Sequence, residues 1–268
     1  MTTMPQSILA LPPRAPGTRI AYGDDPNQFG ELHLPTGPGP HPVVIFIHGG
    51  FWRAKYDLTH ASHLCTAIAE SGCAVWSIEY RRVGQSGGGY PGTLDDIRAG
   101  AKHLAQIPGL DRSRVVLAGH SAGGQLALWL AAQDTIEVRE VTALAAVSDL
   151  RRARALNLGD GAVAAFLGGN DHESFASPIE LLPMRVPQRL LHGTSDDVVP
   201  IELSERFARA SKNAQLIPLP GAGHLELIDP RSKEWPTVLH HIREPLKRRG
   251  AGLPDSAVDQ RDATDGDK

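Results

Sequence analysis

The stretch "RVVLAGHSAGGQLALWLAAQ", residues 114–133, joins two different patterns through one serine. Residues 114–119 are largely apolar and predict a buried strand, whereas 122–133 has the composition of a helix. Between them, Gly119-His120-Ser121-Ala122-Gly123 matches G-x-S-x-G. A serine on so sharp a turn needs very small neighbours two residues away, and the turn lifts its hydroxyl above the sheet and the helix N-terminus. A glycine-rich connection with an ordinary surface serine is the alternative.

On both sides of this stretch, short apolar runs alternate with amphipathic segments. The alternation predicts an α/β fold, with a mostly parallel sheet covered by helices on both faces. In such a sheet the functional groups gather at the carboxyl ends of the strands. The predicted strands are 31–35, 43–47, 74–80, 114–119, 141–148, 188–193 and 214–219, and the predicted helices are 57–72, 93–107, 122–133, 201–210 and 234–246.

Composition narrows the function classes. The chain has 268 residues, of which 41% are hydrophobic and 21% charged, with a formal net charge of -3. This near-neutral balance lacks the basic footprint of a nucleic-acid-binding protein. Apolar runs are much shorter than the roughly 20 residues of a membrane span, and the N-terminus does not resemble a signal peptide. Two cysteines in the whole chain do not make a disulfide framework, so we predict a cytoplasmic protein. The charge balance and the short apolar runs predict no nucleic-acid and no membrane partner.

The organisation along the chain predicts one domain with loose ends. We expect a flexible N-terminal segment at 1–18, a single domain at 19–249 and a disordered acidic tail at 250–268. The tail carries five aspartates and no aromatic residue, so it cannot bury enough apolar surface to offset its chain entropy. Residues 149–178 fall where a short lid is expected. Nothing in the sequence indicates the oligomeric state.

Ser121 would need a base and an acid to act as a nucleophile. Among twelve histidines, His224 is the candidate because it follows the last predicted strand in a loop of small residues. A surface loop histidine is the alternative interpretation. Asp196 and Asp197 follow the strand at 188–193, and either carboxylate would orient the base. The order serine, aspartate, histidine is the one expected of α/β-hydrolases.

Three motifs carry a resemblance to the α/β-hydrolases from about Tyr22 to Leu246. They are "HGGFW" (48–52), "GHSAGGQLA" (119–127) and "HGTSDDVVP" (192–200). Within these hydrolases the chain resembles the kynurenine-formamidase-like and small-carboxylesterase branches, with some likeness to prolyl-oligopeptidase-type domains. The H-G-G-x-W form of the first motif is typical of the formamidase branch. In the H-G-x-x-D-x-x-V-P pattern of these families the acid falls on Asp196. The resemblance implies a serine acyl hydrolase that needs no cofactor and no metal.

The glycines of "HGGFW" suggest an oxyanion hole. When Ser121 attacks a carbonyl group, backbone N–H groups aimed at the developing oxyanion lower the barrier. We expect these donors to be Gly50 and Phe51, together with Ala122 after the nucleophile. Phe51 and Trp52 are expected to line the substrate pocket; a core position is the alternative for Trp52. His48 is expected to hold the loop through a hydrogen bond.

The sequence thus predicts cleavage of a small ester or amide substrate, of the carboxylesterase or aryl-formamidase kind, through an acyl-enzyme on Ser121. Two alternatives remain open: a serine exopeptidase of the prolyl-oligopeptidase type and a non-catalytic binding protein on the same fold. Arg151, Arg152 and Arg154 form either a solvated cationic face or a site for a substrate carboxylate.

Overall fold

A mostly parallel sheet forms the centre of the protein. The computed structural model describes residues 7–247, and within that range eight strands take the order β1-β2-β4-β3-β5-β6-β7-β8. β1 and β2 are antiparallel to their neighbours, and all other pairs are parallel. The strands are β1 (Thr18–Ala21), β2 (Phe29–His33), β3 (His41–Ile47), β4 (Ala74–Ile78), β5 (Leu110–His120), β6 (Glu140–Leu144), β7 (Gln188–Gly193) and β8 (Ala214–Leu219).

Helices cover both faces of this sheet, which confirms the predicted fold class. β3 shows why its run is continuously apolar: Val43 and Ile45 pack into one core, whereas Val44 and Phe46 pack into the other. Alternate residues of a strand point to opposite faces, so a strand covered on both sides needs no polar face. The helices are α1 (Ser62–Glu70), α2 (Gly92–His103), α3 (Ala122–Ala131), α4 (Leu150–Ala155), α5 (Ala162–Phe166), α6 (Glu173–Ala176), α7 (Glu202–Ala210) and α8 (Trp235–Lys247).

Most predicted elements lie where the pattern placed them. β7 and β8 have the predicted bounds, and the other predicted strands and helices are found with shifted ends. β1 was missed because it is short and mostly exposed and carries no apolar pattern. The short helices α4, α5 and α6 occupy the segment between β6 and β7, where a short lid was expected.

The ends of the chain are described only in part. Within the predicted flexible segment 1–18, residues from 7 onward are described, and Ile8 is buried in the core that contains α1 and α8. The predicted acidic tail at 250–268 lies outside the described residues. Between residues 7 and 247, the helices are too short or too polar to cross a bilayer.

Candidate active site

Ser121 sits on the sharp turn between β5 and α3. Its backbone has φ 57° and ψ -120°, a combination that residues with a side chain rarely adopt. A Cβ atom built on Gly119 would lie 2.2 Å from the Gly123 carbonyl oxygen, and one on Gly123 would lie 2.1 Å from that of Ile47. Close backbone contacts therefore require both glycines of G-x-S-x-G, and they hold the serine in its strained conformation.

The loop after β3 runs directly against the Ser121 turn. Because β3 and β5 pair in parallel, their carboxyl ends meet at the same edge of the sheet. A Cβ atom built on Gly49 would lie 3.1 Å from Ser121 Cβ and 2.9 Å from the His120 carbonyl oxygen. The first glycine of "HGGFW" thus lets this loop approach the serine closely.

His224 and Asp196 form a hydrogen-bonded pair at the same edge. His224 Nδ1 lies 2.8 Å from Asp196 Oδ2. A carboxylate can only accept, so Nδ1 carries the proton and Nε2 is left as an acceptor. The His224 ring contacts the ring of His120, the residue before Ser121, with centroids 4.5 Å apart. Among residues 7–247 the Ser121 hydroxyl has no hydrogen-bond partner, and catalytic hydrogen bonds of this kind often tighten only around substrate.

Asp196 is surrounded by N–H groups. Its Oδ1 accepts hydrogen bonds from the backbone N–H groups of Val198 and Val199, at 2.9 and 2.8 Å. Its Oδ2 accepts from His224 and lies 3.3 Å from His192 Nε2. Burial alone would raise the pKa of Asp196, but the hydrogen bonds from His192 and His224 outweigh it and hold the pKa well below its usual range. The group that faces His224 is therefore a carboxylate.

The neighbouring Asp197 has a different environment. Its side chain is exposed, and it forms no hydrogen bond or ion pair with any other residue between 7 and 247. Position after the strand left both aspartates open, and the resemblance indicated Asp196; the structure places Asp196 against His224.

The loop after β3 presents unpaired backbone N–H groups. Gly50, Phe51 and Trp52 have φ values of 109°, 50° and 57°, and turn conformations of this kind can point successive N–H groups at one acceptor. The N–H groups of Gly50 and Phe51 donate to no acceptor within residues 7–247. Ala122 is the first residue of α3, where an N–H has no partner inside its helix. These are the three N–H groups for which the sequence predicts a role as oxyanion donors.

His48 anchors this loop from behind. Its Nε2 lies 3.0 Å from Glu79 Oε1 and its Nδ1 lies 2.8 Å from the Gly49 carbonyl oxygen. Its ring stacks on Tyr80, whose hydroxyl donates to the His48 carbonyl oxygen at 2.9 Å. The hydrogen bonding predicted for His48 is therefore present, and it fixes the backbone that leads into Gly50.

The expected place of Trp52 on the pocket surface is corrected by the structure. Trp52 has no exposed surface, its Nε1 donates to Gln125 Oε1 at 2.9 Å, and its ring stacks on Phe166. A buried indole finds its most favourable environment where its N–H has a partner, and Gln125 of α3 supplies one. Trp52 therefore packs into the core, whereas the neighbouring Phe51 is only partly buried.

Phe51 is partly exposed and lies under the lid segment. A Cβ atom built on Gly159 would come within 2.8 Å of the Phe51 ring. Arg53 donates hydrogen bonds to the carbonyl oxygens of Gly159 and, at 2.9 Å, Asp160. The residues between α4 and α5 are thus fastened to the loop that presents the N–H groups.

The arginines of α4 are engaged in ion pairs, which favours the solvated cationic face over a free carboxylate site. The pairs are Arg151 with Glu180, Arg152 with Glu202 and Arg154 with Glu173.

Two histidines for which the sequence predicted no role lie near this pair: His120 contacts His224, and His60 contacts His120. His120 Nε2 is 3.0 Å from the His224 carbonyl oxygen, and His120 Nδ1 is 3.2 Å from His60 Nε2. Burial lowers the pKa of His60 to about 3. Burial and the neighbouring imidazoles of His224 and His60 lower the pKa of His120 well below its usual value. His120 could have been suspected from its place before Ser121, whereas no sequence signal marked His60.

The half-buried His60 and the buried His120 should make the fold acid-sensitive. In the unfolded chain a histidine takes up a proton near pH 6.5, whereas folded His60 does so only near its pKa of about 3. The unfolded state therefore binds more protons between these values, and the free energy of unfolding falls with decreasing pH by up to about 1.4 kcal/mol per pH unit for each such group. Urea unfolding at pH 7 and pH 5 measures this loss, and His60→Gln should reduce it. Equal pH dependence in both proteins would contradict the assignment to His60.

A groove of about 670 Å³ opens beside His224. Asp197 and Leu225 lie along it, and Ser7 and Ile8 of the N-terminal segment form part of its wall. A substrate reaching His224 from this side would meet a mixed polar and apolar surface.

The sequence of this chain matches a known protein family. The BD-FAE family model matches residues 31–210. The chain belongs to the BD-FAE family. This BD-FAE protein is 30% identical to esterase LipC of Mycobacterium tuberculosis over 246 residues, which covers 79% of the chain and 60% of LipC. It is also 30% identical to a probable isoprenylcysteine alpha-carbonyl methylesterase of Oryza sativa subsp. japonica over 244 residues, 78% of the chain and 58% of that protein. The chain thus spans about 60% of the length of these relatives.

Solved structures agree with the α/β-hydrolase fold of the BD-FAE protein. Esterase 2 of Thermogutta terrifontis superimposes with a TM-score of 0.71 at 21% identity, over 87% of this chain and 94% of that one. Esterase B from Lactobacillus rhamnosis gives a TM-score of 0.71 at 22% identity, over 85% and 83%. At this level of identity the likeness concerns the fold.

Proposed function

We propose that this BD-FAE protein is a serine acyl hydrolase that cleaves an ester or amide bond of a small substrate. One observation carries the proposal: the Asp196–His224 pair stands at the same sheet edge as Ser121, which is held in a strained turn. The proposed oxyanion donors are the N–H groups of Gly50, Phe51 and Ala122, which have no acceptor within the described residues 7–247.

Each residue has a distinct role in this reaction. His224 Nε2 accepts the proton of Ser121 as the hydroxyl attacks the substrate carbonyl, and Asp196 stabilises the imidazolium that results. The oxyanion accepts hydrogen bonds from the three N–H groups, which lowers the barrier to attack. His224 then gives the proton to the leaving group, and a water molecule activated by His224 releases the acyl group from Ser121.

Esters are the proposed substrate class, since LipC is named an esterase and the rice relative a probable methylesterase. An aryl formamide is the narrower candidate, favoured by the resemblance of "HGGFW" to the formamidase branch. Turnover of p-nitrophenyl acetate, N-formylkynurenine and an aminoacyl anilide separates ester, formamide and exopeptidase activity. A chain that hydrolyses only the anilide would contradict the proposal of an ester or formamide substrate.

Labelling with a fluorophosphonate tests the serine mechanism itself. We expect one covalent adduct per chain, located on Ser121 by peptide mass spectrometry. No labelling, together with no turnover of p-nitrophenyl acetate, would favour a non-catalytic binding protein.

Phe51 should act through its backbone in catalysis and through its ring in substrate selection. Phe51→Gly keeps the N–H and tolerates the positive φ, so turnover of a small acetyl ester should stay within about 10-fold. Loss of the ring should shift the preference toward bulkier acyl groups, which kcat/KM for acetate and longer p-nitrophenyl esters measures.

The matched change deletes the N–H and keeps the ring. Replacing the peptide bond before Phe51 by an ester, through an α-hydroxy acid, should lower kcat by about 10²–10³-fold, the usual loss of one oxyanion donor. A folded but inactive glycine variant beside a fully active ester variant would assign the function to the ring.

A further inference from the structure

A row of three histidines joins the nucleophile turn to the proposed base. His60 lies in the 3-10 turn Leu58–Ala61, His120 directly precedes Ser121, and His224 follows β8. His60 Nε2 lies 3.2 Å from His120 Nδ1, and His120 Nε2 lies 3.0 Å from the His224 carbonyl oxygen.

The carbonyl oxygen at one end fixes the direction of every hydrogen bond in this row. A carbonyl can only accept, so His120 Nε2 carries the proton, and in a neutral ring His120 Nδ1 is then an acceptor. His60 Nε2 must therefore donate to it. What remains is His60 Nδ1, a buried nitrogen without a hydrogen-bond partner among the described residues.

Both rings stay neutral in this environment. Burial opposes a charge on His60, and the nearby imidazoles of His48 and His224 outweigh the carboxylate of Asp57. Burial and its two imidazole neighbours likewise lower the pKa of His120. The positive charge that forms during turnover is thus confined to His224.

We propose that His60 and His120 are positioning residues that fix His224 relative to Ser121. Asp196 accepts a hydrogen bond from Nδ1 of His224 and so holds its ring. His120 Nε2 donates to the backbone carbonyl oxygen of His224, and the two imidazole rings are in contact. His120 is itself adjacent to Ser121, so the row sets the distance between nucleophile and base. His60 holds the His120 ring in the orientation that this requires. The inference rests on the proposed function.

Three variants test the role of His60. His60→Phe keeps a ring and removes the hydrogen-bond donor, whereas His60→Gln keeps a side-chain N–H. His63→Phe is the matched control, because His63 contacts the Pro12 carbonyl oxygen and lies outside the row. With p-nitrophenyl acetate, His60→Phe should lower kcat about 10-fold or more and leave KM within about 2-fold, since misplacement of a reacting group acts on the chemical step. His60→Gln should restore most of kcat, and His63→Phe should resemble the parent protein.

The outcomes separate this inference from the proposed function. A folded His60→Phe with the kcat of the parent would overturn the inference while leaving the esterase proposal intact. Equal losses of kcat in His60→Gln and His60→Phe would also overturn it, because the donor would then be irrelevant. A parent protein that neither hydrolyses p-nitrophenyl acetate nor reacts with fluorophosphonate would instead refute the proposed function.

The protonation pattern can be measured without activity or substitution. In two-bond ¹H–¹⁵N spectra of the histidine-labelled full chain at pH 7, His60 and His120 should be neutral with the proton on Nε2. A proton on His120 Nδ1, or a charged ring at either position, contradicts the proposed row. This measurement decides the question even where His60→Phe does not fold.

Discussion

Replacing Ser121 by alanine is expected to lower turnover of p-nitrophenyl acetate by about 10⁴-fold or more while the protein stays folded. In the proposed mechanism the change removes the oxygen atom that forms the acyl-enzyme, and only the weak catalysis by the proposed oxyanion donors would remain. Alanine is slightly smaller than serine, so the contacts of the turn with Gly49 are preserved. Steady-state kinetics together with loss of fluorophosphonate labelling measures the effect.

The strained backbone at residue 121 provides a control. Ser121 has φ 57°, a strain that both serine and alanine bear, so the urea midpoint of the variant should remain close to that of the parent. A folded Ser121→Ala protein that still hydrolyses the ester within about 10-fold of the parent rate would remove Ser121 from the mechanism.

The second large effect is expected at Asp196. Asp196→Asn should lower kcat by about 10³–10⁴-fold, because an amide cannot accept hydrogen bonds at both ends. Oδ1 faces the N–H groups of Val198 and Val199, and Oδ2 faces those of His224 and His192. Whichever way the amide turns, its NH₂ group meets other N–H groups.

The protonation state of His224 that avoids this clash of N–H groups is expected to be inactive. His192 Nε2 lies closer to the Val199 carbonyl oxygen, at 2.8 Å, than to Asp196 Oδ2, at 3.3 Å. Its proton keeps that acceptor in the variant, so the change falls on His224. If the asparagine NH₂ occupies the position of Oδ2, His224 must accept at Nδ1 and carry its proton on Nε2, which can then no longer take the proton of Ser121. The pKa of Asp196 is already far below neutral, so the loss should be similar at every pH of a neutral range.

Asp197→Asn is the matched control for this test. The Asp197 side chain is exposed and has no partner among residues 7–247, so its activity should stay within about 3-fold of the parent, as for a surface substitution. The reverse ranking, with Asp197→Asn inactive and Asp196→Asn active, would transfer the role to Asp197. Circular dichroism and the urea midpoint establish that both variants are folded.

Local sequence patterns were enough to predict the fold class and the residue types at the carboxyl-terminal edge of the sheet. The apolar runs of β3 and β5 and the glycines around Ser121 act within a few residues of their own position. A strand buried on both faces must be continuously apolar, and a turn that brings backbones within contact distance must lack Cβ atoms. For the same reason, β1 and the short helices α4 to α6 escaped prediction: they are short, and packing stabilises them more than their own sequence does.

Only the tertiary structure decided which residues meet. Asp196 and Asp197 are adjacent carboxylates in the sequence, and the burial of one against His192 and His224 distinguishes them. Trp52 follows Phe51 directly, yet its partners Gln125 and Phe166 take it into the core.

The row from His60 through His120 to His224 spans more than 150 residues of sequence but only two hydrogen bonds in space. Hydrogen bonds reach about 3 Å, so contacts between distant segments depend on how the strands are ordered in the sheet. The hydrophobic pattern of a single segment does not show where its strand lies in the sheet. The sequence therefore predicted which residue types the candidate site contains. The order of the parallel strands β3, β5, β7 and β8 in the sheet brings those residues together.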